Sequence, residues 1–365
     1  MQVGNGLAGL IRAVGKDGTL VSGTNLAYRD GEINYYAGSP FRSWRSLGNA
    51  ARPFFVLGNS EPVDSIMEIL GCDRDPAPRI SISRHQCTVV VMANRNGIPA
   101  VMHYASCDDS IAELRRTADG LRMASADPWI KAFCARLLDD RALPNGAAML
   151  AQTRIPADPY VFSWNLIDTA NEFWSGYART DGNRVLDAMK ERLELACGCF
   201  SQYYDMLAPV ANALMEWCDT TQVGAGFVHG DFWLGNVLFK DDRVAAIIDW
   251  EWARRDGIPA ADLLHMLLRS PSMAQDTSFA ETLRRFWKDE LDETELSRRL
   301  KQLTLKSGFG FEDLKFIGLV LWFDILWQRA LRGVVESQMW LEDMIPQTAP
   351  VALQWIKRSP KARVL

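Results

Sequence analysis

The chain has 365 residues, 48% hydrophobic and 23% charged, a balance that fits a globular protein of two domains or lobes and excludes a disordered or fibrous one. Its 40 basic and 45 acidic residues leave a net charge of -5, which offers no basic field for nucleic acid and no polybasic membrane patch, so the expected partner is a small molecule. Seven cysteines without a paired zinc spacing read as reduced thiols in a cytoplasmic protein.

In chain order, Met1 to Leu7 lacks the basic region and apolar core of a secretory signal. Residues 1–75 read as an N-terminal extension, with turn formers at Gly31, Gly38-Ser39-Pro40 and Gly48-Asn49 between short apolar pieces such as Phe54-Phe55-Val56-Leu57. Strand signals then follow at Ile80 to Ile82, Thr88 to Met92 and Ala100 to Tyr104, the last two joined by Asn94-Arg95-Asn96-Gly97. Asn-Gly between β-branched runs predicts a hairpin, because both residues tolerate positive φ. Ser110 to Ala124 places Ile111, Leu114, Ala118 and Leu121 on one helical face, and Ala147 to Thr153 predicts a further strand. Ile155-Pro156-Ala157-Asp158-Pro159 is a stiff connector suited to a hinge between lobes. From Trp164 onward the pattern is mainly helical, including a long amphipathic stretch from Val185 to Cys218 in which Pro209 marks a kink or break. Phe316 to Trp327, interrupted by Asp324, falls short of the roughly 20 apolar residues of a membrane span and reads as a buried helix.

Chemistry concentrates in His229-Gly230-Asp231-Phe232-Trp233-Leu234-Gly235-Asn236 and in Ile247-Ile248-Asp249-Trp250-Glu251. A short loop here sets a carboxylate and a carboxamide five residues apart, and an apolar run ends in a second carboxylate. Hard cations such as Mg2+ take oxygen ligands and share them with phosphates, so Asn236 and Asp249 make a candidate magnesium-nucleotide site and leave Asp231 to orient a hydroxyl nucleophile.

The two segments resemble the catalytic loop and metal-binding strand end of the aminoglycoside phosphotransferase and choline kinase family. Gly257-Ile258-Pro259-Ala260-Ala261-Asp262-Leu263 is similar to the Gly-x-Pro-x-x-Asp-Leu stretch that follows in that family. The resemblance implies an α+β, bilobal protein-kinase-like fold, with a small β-rich N-lobe over 76–156 and a larger, mainly helical C-lobe over 157–365. It also implies a small-molecule phosphotransferase that uses Mg2+ and the γ-phosphate of ATP or GTP. In that scheme Asp231 is the catalytic base, Asn236 and Asp249 hold the metal, and His229 and Asp262 support the loop. Trp233 and Glu251 are candidate acceptor contacts.

The pattern departs from the family in the small lobe. Where the third strand normally carries a phosphate-binding lysine, Ile98-Pro99-Ala100-Val101-Met102-His103-Tyr104 offers His103. Its helical partner is either Glu113 or, by phase, Thr117. The loop Ser83-Arg84-His85-Gln86 has no glycine, which leaves Arg84, His103 or backbone amides to hold the phosphates. Two further readings therefore stand beside the phosphotransferase: a kinase-like non-catalytic binding module, and a metal hydrolase with His229, Asp231 and Asp249 as ligands. For the acceptor, Glu251, Asp256 and Glu342 would suit a cation, and Trp322, Trp327, Trp340 and Trp355 read as core more than as pocket. A sugar or other hydroxylated metabolite asks least of the sequence.

Overall fold

The computed structural model describes residues 25–29, 32–36, 55–56, 68, 70–73, 79–83, 88–105, 108–143, 146–177, 180–291, 294–332 and 334–359, with backbone alone at 25–29, 32–36, 55–56, 79–83, 88–89, 177, 180–184, 294 and 334–343. Contacts divide the chain into two units, Met1–Pro156 and Ala157–Leu365.

In the first unit, β1 (Asn25–Arg29) and β2 (Glu32–Tyr36) form a separate antiparallel pair. Six more strands make one antiparallel sheet. These are β3 (Phe55–Val56), β4 (Arg79–Ser83), β5 (Thr88–Arg95), β6 (Ile98–Ala105), β7 (Leu137–Ala142) and β8 (Ala148–Thr153), in the order β3-β4-β5-β6-β8-β7. The sheet thus takes in Phe55–Val56, from the stretch that the sequence leaves unassigned, and β7, whose Leu-Leu-Asp-Asp-Arg-Ala carries no clear strand signal. The β5–β6 hairpin turns at Asn96 (φ 51°) and Gly97 (φ 73°), and both backbone N–H groups donate to the Asp73 carboxylate, at 3.0 and 2.7 Å. Period-two alternation splits the sheet's interior into two layers. Met102, Tyr104, Met149 and Ala151 pack on one face, while Ala105, Ala148 and Leu150 pack on the other against Ile111, Leu114 and Ala118 of α1 (Asp108–Ser125).

The second unit is mainly helical, with α2 (Trp164–Tyr177), α3 (Leu186–Cys199), α4 (Tyr204–Thr221), α5 (Pro259–Ala274), α6 (Phe279–Trp287), α7 (Thr294–Ser307), α8 (Phe311–Leu331) and α9 (Val334–Arg358). The long pattern from Val185 breaks at Phe200, where the backbone leaves helical geometry (φ -109°, ψ 45°), and not at Pro209, which sits inside α4. Pro209 lies in the second turn of α4, where only one carbonyl bond is forfeited. Two small antiparallel ladders interrupt the helices. One runs β13-β10-β9 through β9 (Thr180–Arg184), β10 (Gly224–Val228) and β13 (Arg254–Gly257). The other pairs β11 (Val237–Lys240) with β12 (Arg243–Ile247) through Asp241 and Asp242, both at positive φ. No helix among the described residues is long and apolar enough to cross a membrane.

α8 is buried nearly all round and packs against α3 and α5, as the apolar run Phe316 to Trp327 predicts. Its Asp324 is 5% exposed and answers two buried cations: Arg254 Nη2 at 2.5 Å and Arg192 Nε at 3.3 Å. Burial pushes the Arg192 guanidinium down from its usual range, and the Asp324 charge opposes this. Both guanidiniums also lie over the Trp327 ring, at 5.9 and 5.6 Å. Asp324→Ala leaves both with only the half-exposed Asp256, at 3.2 Å from Arg192 and 3.6 Å from Arg254, in place of a buried carboxylate, so urea unfolding should show a loss of about 3 kcal/mol. A loss no larger than that of a surface substitution would show that the arginines are neutralised elsewhere.

Candidate active site

The site is built on α5. This helix begins with Pro259 in its first turn, where a missing N–H is harmless, and Asp262 follows in the same turn. Asp262 is 3% exposed, and its carboxylate accepts the backbone N–H of His229 at 2.6 Å, that of Gly230 at 3.0 Å and the Trp174 indole N–H at 3.1 Å. Burial pushes its carboxyl up to about 7, while the two backbone donors pull the other way. Two turns further along α5, the Ser270 hydroxyl accepts the Leu234 N–H at 3.0 Å, so one helix holds the loop at both ends.

Gly230 is required by this arrangement. Its φ is +81°, and a Cβ would run into the carbonyl and side chain of Trp252. Its own carbonyl accepts from Gln328 Nε2 of α8 at 2.8 Å.

His229 is fully buried and supports the loop with both ring nitrogens. Nδ1 accepts the Asp231 N–H at 3.2 Å, which places the ring proton on Nε2, 2.8 Å from the Ile248 carbonyl. Burial lowers its pKa, in keeping with a neutral ring. No nitrogen is left for a metal, and no group of three His, Cys, Asp or Glu among the described residues could hold a metal ion. The metal-hydrolase reading therefore lacks its histidine ligand.

Asp231, Asn236 and Asp249 come together through local backbone geometry. Asn236 Nδ2 donates to the Asp231 carbonyl and to Asp231 Oδ2, both at 2.9 Å, which turns its Oδ1 away from Asp231. The Ile248 N–H donates to the Asn236 carbonyl at 2.9 Å, which continues the β11–β12 ladder as far as the residue before Asp249. Asp249 adopts the left-handed conformation (φ 61°, ψ 56°) and its side chain is exposed. A carboxamide oxygen and an exposed carboxylate are the hard donors that Mg2+ accepts while keeping water and phosphate oxygens as its other ligands, so the donor set fits the ion. The Asp231 carboxylate, 36% exposed, is the one reactive group of the loop open to a substrate.

Other expected site residues fall elsewhere. Glu251, 9% exposed, is ion-paired with Arg332, and Asp256 with Arg192 at 3.2 Å, so neither is a free anion for a cationic acceptor. Trp233 is 6% exposed, with Arg269 over its ring at 5.7 Å and Gly235 against it, a packed side chain and not a pocket wall. Trp322 and Trp355 are buried too, and two arginines, Arg192 and Arg254, lie over the Trp327 ring. His103 shares the α1 face of the sheet with Leu150, and its Nε2 lies 3.4 Å from Gln152 Nε2. On α1, the Thr117 hydroxyl donates to the Glu113 carbonyl at 3.0 Å. Arg84, its glycine-free loop and the Glu342 side chain lie outside the described residues.

The sequence reading missed His265. It is one turn along α5 from Asp262, 3% exposed, and its Nδ1 lies 3.8 Å from Asp231 Oδ1. The signal was present: Asp262 and His265 are three residues apart, hence on one helical face.

Residues 147–299 match the model of the phosphotransferase enzyme family, APH, a span that contains Asp231, Asn236, Asp249, Asp262 and His265 but not His103. The structure of a thermostable mutant of aminoglycoside phosphotransferase APH(4)-Ia, in ternary complex with ADP and hygromycin B, is similar, with a TM-score of 0.51 at 16% identity over 79% of this chain and 97% of that one. A second structure of APH(4)-Ia gives 0.52 at 14% identity over 79% and 97%. No curated protein matches the chain by sequence. The chain thus resembles the aminoglycoside phosphotransferase family and shares its kinase-like α+β fold, a small sheet-based part followed by a helical one.

Burial pushes the His265 ring down to about 4, with Asp231 opposing and Arg269 and His229 adding to the shift. A depressed histidine stabilises the fold above its unfolded pKa of about 6.5, and that stability is lost as pH falls toward the folded value. Unfolding free energy should therefore drop by up to about 3 kcal/mol from this group between pH 6.5 and 4, a slope that His265→Leu removes. A wild-type slope that survives the substitution would assign it to other groups.

Proposed function

We propose that the protein transfers the γ-phosphate of ATP or GTP to a hydroxyl group of a small molecule, a sugar or other hydroxylated metabolite. The observation that carries this reading is the commitment of the Asn236 amide nitrogen to Asp231, which leaves Oδ1 uncommitted to Asp231, while the Asp249 carboxylate is exposed. Asn236 and Asp249 would hold Mg2+, which supplies charge neutralisation on the nucleotide phosphates. Asp231 accepts a hydrogen bond from the acceptor hydroxyl and holds its oxygen in line with the terminal phosphorus. As the new O–P bond forms, the bond from the γ-phosphorus to the β,γ-bridging oxygen breaks, the nucleoside diphosphate leaves, and the hydroxyl proton passes to the Asp231 carboxylate. Asp262 and His229 keep the loop in place and touch neither reactant.

Support also comes from the family match across the loop, and from fold neighbours whose structures contain ADP or AMP-PNP together with hygromycin B. The nucleotide donor and the reduced thiols both suit the cytoplasm. One observation favours a second reading, a kinase-like non-catalytic binding or regulatory module: the strand position expected to carry the phosphate-binding lysine holds His103, set beside Gln152.

Magnesium-ATP or magnesium-GTP should raise the melting temperature of the wild type, and Asp249→Asn should abolish the shift, because a ligand of the native state stabilises it by mass action. No shift with either nucleotide would overturn the phosphotransferase reading and favour the second. Asp231→Asn should retain the shift and lose phosphate transfer to a panel of hydroxylated acceptors by about 10²-fold or more. Unchanged transfer would remove Asp231 as base, and binding without transfer in the wild type would favour the second reading.

A further inference from the structure

One polar group on α5 faces the catalytic loop and has no part in the scheme so far. His265 Nδ1 is buried without a hydrogen-bond partner and lies 3.8 Å from Asp231 Oδ1. An unsatisfied buried nitrogen costs about 1–3 kcal/mol, so packing beside the Phe279 ring, 5.5 Å away, does not explain a histidine where leucine would fill the space. The other carboxylate oxygen, Oδ2, is already held by Asn236 at 2.9 Å, and the backbone N–H of Asp231 by His229 at 3.2 Å. Oδ1 is the atom left for His265.

We propose that His265 is a positioning residue for Asp231: protonated at Nδ1, it donates to Oδ1 and fixes the plane of the carboxylate that receives the acceptor hydroxyl. This rests on the role given above to Asp231. A carboxylate held through one oxygen swings about its side-chain torsion, whereas donors on both oxygens define its plane. The approach needed from 3.8 Å is about 1 Å, and hydrogen bonds of this kind commonly tighten only when the reactants are bound. Burial keeps the ring neutral at physiological pH, so it orients the carboxylate without removing its charge. A neutral imidazole carries one proton, and the nearest acceptor decides which nitrogen bears it. His229 has the opposite arrangement, with Nδ1 accepting and Nε2 protonated, and supplies an internal reference.

The test is nitrogen-15 NMR of the full chain at neutral pH, with the 4 histidines assigned by single substitution. In the wild type, His265 should be protonated at Nδ1 and His229 at Nε2, and Asp231→Ala should move the His265 proton to Nε2. A wild-type His265 protonated at Nε2 overturns the proposal. In phosphate transfer, His265→Leu should lower kcat by about 10²-fold with an unchanged KM for nucleotide. His265→Asn, which offers an N–H near the Nδ1 position, should recover most of that loss. Full kcat in His265→Leu, or a loss carried by nucleotide KM, also overturns it. Should the wild type transfer no phosphate to any acceptor, the phosphotransferase reading fails by itself, and the wild-type tautomer still decides the role of His265.

Discussion

The backbone amides of His229 and Gly230 point into the protein interior, and Asp262 is the acceptor that both of them find there. Without it, two buried donors would each be unmet at about 1–3 kcal/mol, and the left-handed turn at Gly230 would be held only through its carbonyl, by Gln328. Asp231 follows that turn directly, so its direction is inherited from the Asp262 contact. The far end of the loop is tied to the same helix through Ser270. α5 therefore acts as a template, with Asp262, His265 and Ser270 set against successive parts of the loop from His229 to Asn236.

A dry shell makes these contacts strong. His229 is surrounded by Trp250 at 4.6 Å, Phe232 at 6.2 Å and Trp174 at 6.4 Å, and Trp174 stacks on Phe232 at 4.8 Å. Water is excluded from the supports while Asp231 and Asp249 keep access to solvent. Behind the loop, α8 reaches the Gly230 carbonyl through Gln328 and the β13 arginine through Asp324. The loop is thus fixed from two helices before any ligand arrives, which is what catalysis by positioning requires.

Much of the fold was legible because its signals are local. The β5–β6 hairpin follows from Asn96-Gly97, the buried face of α1 from the spacing of Ile111, Leu114, Ala118 and Leu121, and the burial of α8 from its apolar run. β7 was not legible, since Asp139 and Asp140 break the apolar alternation and one of them ends in an ion pair with Arg95 across the sheet. The break at Phe200 was misplaced at Pro209, because proline within the first turns of a helix is tolerated. Near the proposed site, the five-residue spacing of Asp231 and Asn236 reflects a local loop, in which the Asn236 amide donates to Asp231. Glu251 and Trp233 were misjudged for the opposite reason: their neighbours, Arg332 and Arg269, are remote in sequence. His265 was overlooked although its three-residue spacing from Asp262 puts both on one helical face, because its neighbour Asp231 is remote in sequence.

The central claim is that the Asn236 carboxamide faces Asp231 through nitrogen and presents its oxygen, with Asp249, to a divalent cation carried by a nucleotide. Electron paramagnetic resonance of Mn2+ titrated with AMP-PNP tests this on the wild type, Asn236→Ala and Asp249→Asn. The account predicts nucleotide-dependent Mn2+ binding in the wild type, with a loss of at least about tenfold in affinity in each variant. Binding of equal strength in all three proteins would contradict it.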